Sequence, residues 1–501
     1  MKSSYFILAL TLSFPAHIFA DELPDLGDVS QATISPFEER QIGLRIMRNI
    51  RADPSYLDDP EINSYLNNLG YRLISRSSEA SPYQSFEFFA LQDSSINAFA
   101  LPGGFMGFNS GLIIAAQSES ELAAVMAHEI AHVTQKHLAR MIAGQKFSMI
   151  KTLASLALAI IAARANPQAG HAVLVTAQAS AIQSQLDFTR NHEKEADRVG
   201  LNILLDAGFD PQGMAAFFER LQKAGRFHEN GAPSYLRTHP LTFERIADIQ
   251  NRTHELTYRQ VPDSIEFQLV RAKLQALQGK PQAAVMQFES RLREKRYVNE
   301  GVERYGYILA LVRDKKYEQA DKELTRLYDI LQTDTTNFPL RNHPLGKPIQ
   351  VEQRHILAGA MIETLAAMVK LSAGKTSEAL TIYQTAINIY PQHRALIHGY
   401  ATALLQNQQI NVALEFINKN LRFVHDDIQL YKLQAQSYAA LGKTMLQHHA
   451  QAEVYIRQGQ FLAAIQQLQL ALQNDNGDFY QTSSTEARLK QLEAQMADEE
   501  D

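Results

Sequence analysis

The 501-residue chain contains no cysteine. That excludes a disulfide framework and a lipid-attachment cysteine, so an exported chain of this kind must hold itself together by core packing and, where ligands allow, by metal. Basic charge is also scarce: 48 Lys and Arg against 54 Asp and Glu give a net charge of −6, with no long basic cluster. Such a balance offers no field for nucleic-acid phosphates, and that partner class drops out. Long apolar runs are missing as well. Tyr5–Phe14 and Thr152–Ala163 are apolar, but both fall short of the roughly 20 residues that a spanning helix needs. The remaining composition, 45% hydrophobic and 20% charged, is that of an ordinary globular protein with room for two or three domains.

The first twenty residues differ from everything after them. Lys2 precedes the apolar run, Pro15 breaks it, and a cleavage bond after Ala20 leaves Asp21-Glu22-Leu23-Pro24 as the new start. This layout predicts a secretory signal peptide over residues 1–20, although Ile18 rather than a small residue stands three positions before the bond. Residues 35–75 read as helical. Phe86–Leu91 and Ile96–Leu101 read as strands, and Pro102-Gly103-Gly104 as a turn into a returning strand at Phe105–Phe108. Ser118 and Glu121 form a capping-box pair, and a helix without Gly or Pro is expected from there to about Ile142. Thr152–Ala163 reads as a packed helix or interface hairpin. Further helix runs through Glu193 to Leu205 and ends at Gly208-Phe209-Asp210-Pro211.

Beyond about residue 265 the strand signals stop, and Leu, Ala, Gln and Tyr recur at helical spacing. Gly374, Ala379, Tyr383, Ala386 and Pro391 fit the second half of a tetratricopeptide repeat, and Ala413 and Ile417 repeat the frame 34 residues later. The frame also appears at Gly279, Ala284 and Phe288, at Lys315, Ala320, Leu324 and Leu327, and at Gly459, Ala464, Leu468 and Ala471. Small residues there let antiparallel helices approach while the larger one fills the seam. The expected layout is a first domain over 21–260, repeats over 265–490 and a solvated acidic tail over 491–501.

The chemistry concentrates in His128-Glu129-Ile130-Ala131-His132. On a helix His128 and His132 share a face one turn apart and can both turn a ring nitrogen to one metal ion. Glu129 is rotated about 100° away, which suits it to a water at the metal. The flanking residues are apolar, and a buried helix has little reason to carry two His and a Glu unless metal satisfies them. Gln135 and Leu138 stand where a metzincin needs Gly and His, so that class is excluded. About sixty residues on, Glu193 and Asp197 share a helix face. Glu193 can be a third ligand, and Asp197 can accept a hydrogen bond from a ligand imidazole. Glu195, His137 and His192 read as a solvated acid and two bystanders.

Taken together, Asn97–Gly104, His128–His132, Asn191–Gly200 and Thr238-His239-Pro240 with Arg245 resemble, in order, the motifs of the CAAX-prenyl-protease/HtpX-like gluzincin metallopeptidases. The resemblance implies a mainly α chain, a gluzincin zinc-metalloprotease domain with a small β-sheet followed by the α-helical tetratricopeptide-repeat domain. It implies one Zn²⁺ held by His128, His132 and Glu193, with Glu129 as general base. Asn97, Ala98, Phe99 and Ala100 become an edge strand on which an extended substrate pairs. With the signal peptide and the repeats, the resemblance further implies a periplasmic enzyme acting on unfolded outer-membrane β-barrel proteins, with the β-barrel assembly machinery as partner of the repeats. Prenylated substrates are not implied, because the membrane-embedded members' several spanning helices are absent. Three roles stay open for His239: oxyanion stabiliser, fourth zinc ligand holding the enzyme latent, or a structural histidine before Pro240. Two further readings also stay open, a chaperone or scaffold with a latent or capped site, and peripheral association with the outer membrane through Leu153–Ala163.

Overall fold

A computed structural model describes residues 35–77, 84–143, 190–227, 234–254, 256, 261–333, 356–474 and 478–500. The expected signal peptide over residues 1–20 and the apolar segment 152–163 lie outside them. Helices α1 (Pro36–Ala52) and α2 (Pro60–Ile74) each begin with proline at the first helical position. Ser35 and Asp59 cap them, taking the otherwise unpaired amides of the first turn.

The sheet holds β1 (Glu87–Leu91), β2 (Ala98–Leu101) and β3 (Phe105–Asn109) in the order β1-β3-β2, with β1 parallel and β2 antiparallel to β3. Gly103 and Gly104 make the β2–β3 turn at φ 74° and 79°. A Cβ on Gly104 would lie 2.0 Å from the Ser85 carbonyl oxygen, so only glycine fits there. Leu57 N–H donates to Ala90 O and Gln92 N–H to Ser55 O, which occupies the outer edge of β1. β2 forms the opposite edge.

After α3 (Ser110–Ala115) comes the buried helix α4 (Glu119–Thr134), with Ser118 accepting from the Glu121 amide. Only half of the capping box forms. The Glu121 carboxylate accepts from Gln117 N, at 2.7 Å, and from Arg220 instead of from Ser118. The helix expected to continue to Ile142 is interrupted: Lys136 takes φ 53°, and a separate helix α5 (His137–Ala143) follows. Next come α6 (Arg190–Asp206), α7 (Gln212–Phe227), α8 (Ser234–Thr238) and α9 (Phe243–His254).

The repeat helices are α10 (Ile265–Leu277), α11 (Pro281–Arg293), α12 (Glu300–Arg313), α13 (Tyr317–Thr333), α14 (Ile356–Ser372), α15 (Thr376–Ile389), α16 (Arg394–Gln406), α17 (Ile410–Leu421), α18 (Ile428–Ala440), α19 (Thr444–Arg457), α20 (Phe461–Leu472) and α21 (Phe479–Glu500). Ala379, Tyr383, Ala413, Ile417, Ala464 and Leu468 are buried in the seams between them. Gly279, Lys315, Gly374, Gln408 and Gly459 all hold φ between 59° and 77°, so the same turn recurs even where the residue is not glycine. The acidic residues 491–500 are helical and continue α21.

One apolar core runs from Ile62 through the α4 and α6 faces to Val369, so the first repeat helices pack directly on the sheet-bearing half. The junction is polar at one point. Glu119, at the first position of α4, accepts from Ser264 N at 3.0 Å and Ser264 Oγ at 2.7 Å. In return its own amide donates to Asp263 Oδ1 at 2.7 Å. The starts of α4 and α10 therefore cap each other.

Candidate metal centre

Helix α4 is buried along nearly its whole length, and α6 crosses it closely enough to bring Glu193 and Asp197 to His128 and His132. Ring nitrogens and carboxylate oxygens of His128, His132, Glu193 and His239 all lie within 4.8 Å of one another, and all four residues are buried. Nε2 of His128 is 3.0 Å from Nε2 of His132, while Glu193 stands 3.6 Å from the former and 3.5 Å from the latter. Nδ1 of His239 is 3.1 Å from Glu193 and 3.4 Å from His128 Nε2. Glu129 is outside this group, with Oε1 3.5 Å from His239 Nε2.

Behind the group, His128 Nδ1 lies 3.1 Å from Asp197 Oδ1. Arg245 grips Asp197 with Nε at 2.7 Å and Nη2 at 2.8 Å. The same guanidinium sits 2.7 Å from Glu193 and donates to Pro240 O at 2.8 Å, tying the His239 loop to the carboxylates. Tyr235 stacks on His239 with ring centroids 4.7 Å apart, and its amide donates to Ile96 O at 3.2 Å. The segment that carries His239 is thereby bonded to the residue leading into edge strand β2. The strand begins at Ala98; Asn97 precedes it and is buried.

Burial alone would lower His128, yet hydrogen bonding to Asp197 and Glu193 outweighs it and raises it to about 9. Glu193 sits well below the usual carboxylate range: burial opposes this, but His239 and His128 prevail. Burial and the neighbouring His128 charge push His132 well below the ordinary histidine value. Asp197 is also lowered, Arg245 and His128 overcoming the cost of its burial. The centre of the group thus favours one positive charge. His128 Nδ1 is turned to a carboxylate, so a cation that displaced the proton from its Nε2, 3.0 Å from Nε2 of His132, would meet a lone pair aimed at the centre. Two nitrogens ligating one tetrahedral zinc at about 2.0–2.1 Å would stand roughly 3.3 Å apart. The donor set of two imidazoles and a carboxylate therefore fits a zinc ion.

His137 and Glu195 take a larger part than the sequence reading gave them. The break at Lys136 turns the His137 ring back, so that its Nδ1 lies 2.8 Å from Nδ1 of His132. Its Nε2 is 3.0 Å from Glu195, and His192 stacks on it at 4.5 Å. Burial lowers His137 to about 4. Position counting along an unbroken helix placed His137 off the ligand face, and a left-handed lysine gives no sequence signal that would have corrected it. Arg245 and Tyr235 received no role from sequence spacing either; only the order of motifs pointed to Arg245.

The model of peptidase family M48 matches residues 60–253, and a tetratricopeptide repeat model matches residues 370–437. The chain is 32% identical to the beta-barrel assembly-enhancing protease of Escherichia coli (strain K12), over 97% of this chain and 95% of that protein. A Vibrio cholerae serotype O1 relative is 38% identical across 61% of this chain and 63% of its own length. The mitochondrial metalloendopeptidase OMA1 of Schizosaccharomyces pombe is 33% identical over 33% of this chain and 46% of its own.

Proposed function

This chain belongs to the beta-barrel assembly-enhancing protease family within peptidase family M48, and on that ground we propose that it is a periplasmic zinc endopeptidase that degrades misfolded or stalled outer-membrane β-barrel proteins. The observation that carries the reading is the buried His128, His132, Glu193 and His239 group with the Glu129 carboxylate beside it. In this reading His128, His132 and Glu193 hold the ion. A zinc ion bound there supplies Lewis acidity, lowering the pKa of water to about 7 and polarising a peptide carbonyl.

The chain's own residues do the rest. Glu129 takes a proton from the attacking water and passes it to the leaving amine as the C–N bond breaks. Asp197, clamped by Arg245, orients His128. An extended client adds to edge strand β2 over Ala98–Ala100 through main-chain hydrogen bonds, a mode that reads shape more than sequence and suits unfolded chains. The repeats bind the assembly machinery and assist clients that need no cutting.

A latent form is favoured by the position of His239. Its Nδ1 stands among the ligand atoms, and its segment is bonded to Ile96, two residues before the edge strand. In this form His239 fills the fourth position and must swing out before substrate enters. The test is cleavage of a purified unfolded outer-membrane β-barrel protein by zinc-loaded wild type and His239→Ala. The proposal predicts slow cutting by wild type and faster cutting by His239→Ala. Slower cutting by the variant would make His239 a catalytic helper. Absence of cutting by both, with zinc bound, would leave the chaperone reading in the lead.

A further inference from the structure

His137 is buried, stands outside the group of ligand atoms, and bonds a side chain at each end of its ring. Two ring nitrogens 2.8 Å apart, as Nδ1 of His137 and Nδ1 of His132 are, share a single proton: one donates and the other accepts. The far end of His137 decides which. Its Nε2 faces Glu195 Oε2 at 3.0 Å, and an ionised carboxylate only accepts. Nε2 of His137 therefore carries the proton, and its Nδ1 is left as the acceptor. Nδ1–H of His132 is then the donor, which leaves His132 Nε2 as a lone pair facing Nε2 of His128 at 3.0 Å. That is the tautomer a metal ligand needs.

The surroundings fix this chain in place. His192 lies flat on His137, with planes 17° apart, and so sets the ring plane. Arg140 Nη1 holds Glu195 Oε2 at 2.9 Å. The two ligand histidines are oriented by different means. His128 has a buried carboxylate, whereas His132 has an imidazole relayed to Glu195, whose side chain is 28% exposed. A histidine that merely filled space in the core would not need both nitrogens aligned in series between a ligand and a carboxylate.

We propose that His137 is a positioning residue: with Glu195 behind it, it holds His132 in the Nδ1–H tautomer and orientation that direct Nε2 to the metal. This rests on the zinc reading of the site. Its removal weakens metal binding without removing a ligand, and outer partners of this kind typically contribute 10- to 100-fold in affinity.

The experiment is a zinc affinity titration against a competing chelator, paired with melting of the metal-free full-length protein. Wild type, His137→Leu and His137→Asn are compared. Leucine fills similar space and accepts nothing, whereas asparagine places its amide oxygen near the position of imidazole Nδ1. The expected result is about 10- to 100-fold weaker zinc binding by His137→Leu, with recovery to within about threefold of wild type by His137→Asn. Metal-free melting temperatures should stay close together. If His137→Leu fails to fold, His137→Asn decides: near-wild-type affinity supports the role, and a loss beyond about tenfold overturns it. Equal binding by wild type and His137→Leu would overturn this inference alone. Absence of zinc binding by wild type would overturn the zinc reading and this inference with it.

Discussion

A Cβ on Gly200 would sit 3.1 Å from both the Cα and the amide nitrogen of His128, so α6 rests on the backbone of the helix that carries His128 and His132. This contact sets the distance from Glu193 and Asp197 to the histidines. In an exposed helix Gly→Ala would stabilise by about 1 kcal/mol. Here the opposing atoms are backbone and cannot move aside cheaply. Gly200→Ala is expected to destabilise by about 1–3 kcal/mol and to weaken zinc binding, both measurable by denaturant unfolding and metal titration. A stabilised variant would show that the helices are free to part.

Arg245 is the common partner of Asp197, Glu193 and the Pro240 carbonyl. Removing it takes the guanidinium from two buried carboxylates and leaves them only the neighbouring histidines, at a cost of about 3–5 kcal/mol. Arg245→Ala should lose stability on that scale, together with zinc affinity. Arg245→Lys should restore little, because an ammonium cannot reproduce the two-pronged grip on Asp197. Full recovery by lysine would show that charge alone matters there.

At the junction, Glu119 is buried and accepts from Tyr65 Oη at 2.9 Å as well as from Ser264. Glu119→Ala strands these donors, so unfolding should become easier by about 3 kcal/mol, given roughly 1–3 kcal/mol for each unsatisfied buried group. Protease activity should fall with it, since α4 and α10 are capped as a pair. Unchanged stability in denaturant unfolding would contradict the capping account.

Glu363 supplies a pH dependence away from the metal. Burial alone raises it from the ordinary 4.5 to about 7. The folded state therefore holds that proton more tightly than the unfolded chain. Its contribution to stability is fully present below pH 4.5, declines as the pH rises, and is lost above about 7. The shift corresponds to an order of 3 kcal/mol. Glu363→Gln should be more stable than wild type at pH 8 and similar to it at pH 4, in unfolding measured at both. Equal stability at pH 8 would show that burial does not oppose the charge.

The grouping of His128, His132, Glu193 and Asp197 was legible because helical periodicity is rigid: His128 and His132, and Glu193 and Asp197, lie four apart and must share faces. The tetratricopeptide frame was legible for the same reason, since small residues repeat where helices touch. Two things were not. The helix break depends on Lys136 at φ 53°, a conformation that no residue type advertises, and the role of His137 was hidden with it. The joining of the two halves was also hidden, because no local spacing links Glu119 to Asp263 and Ser264, which stand 144 and 145 residues further along the chain.

The most direct test of the central claim is cleavage of an unfolded outer-membrane β-barrel protein by Glu129→Gln, with zinc content measured on the same sample. Glu129 is outside the ligand group, so the variant should hold one zinc per chain as wild type does. It should nevertheless cut at least about 100-fold more slowly, the minimum that a general base contributes. Wild-type cleavage by a zinc-loaded Glu129→Gln would contradict the account.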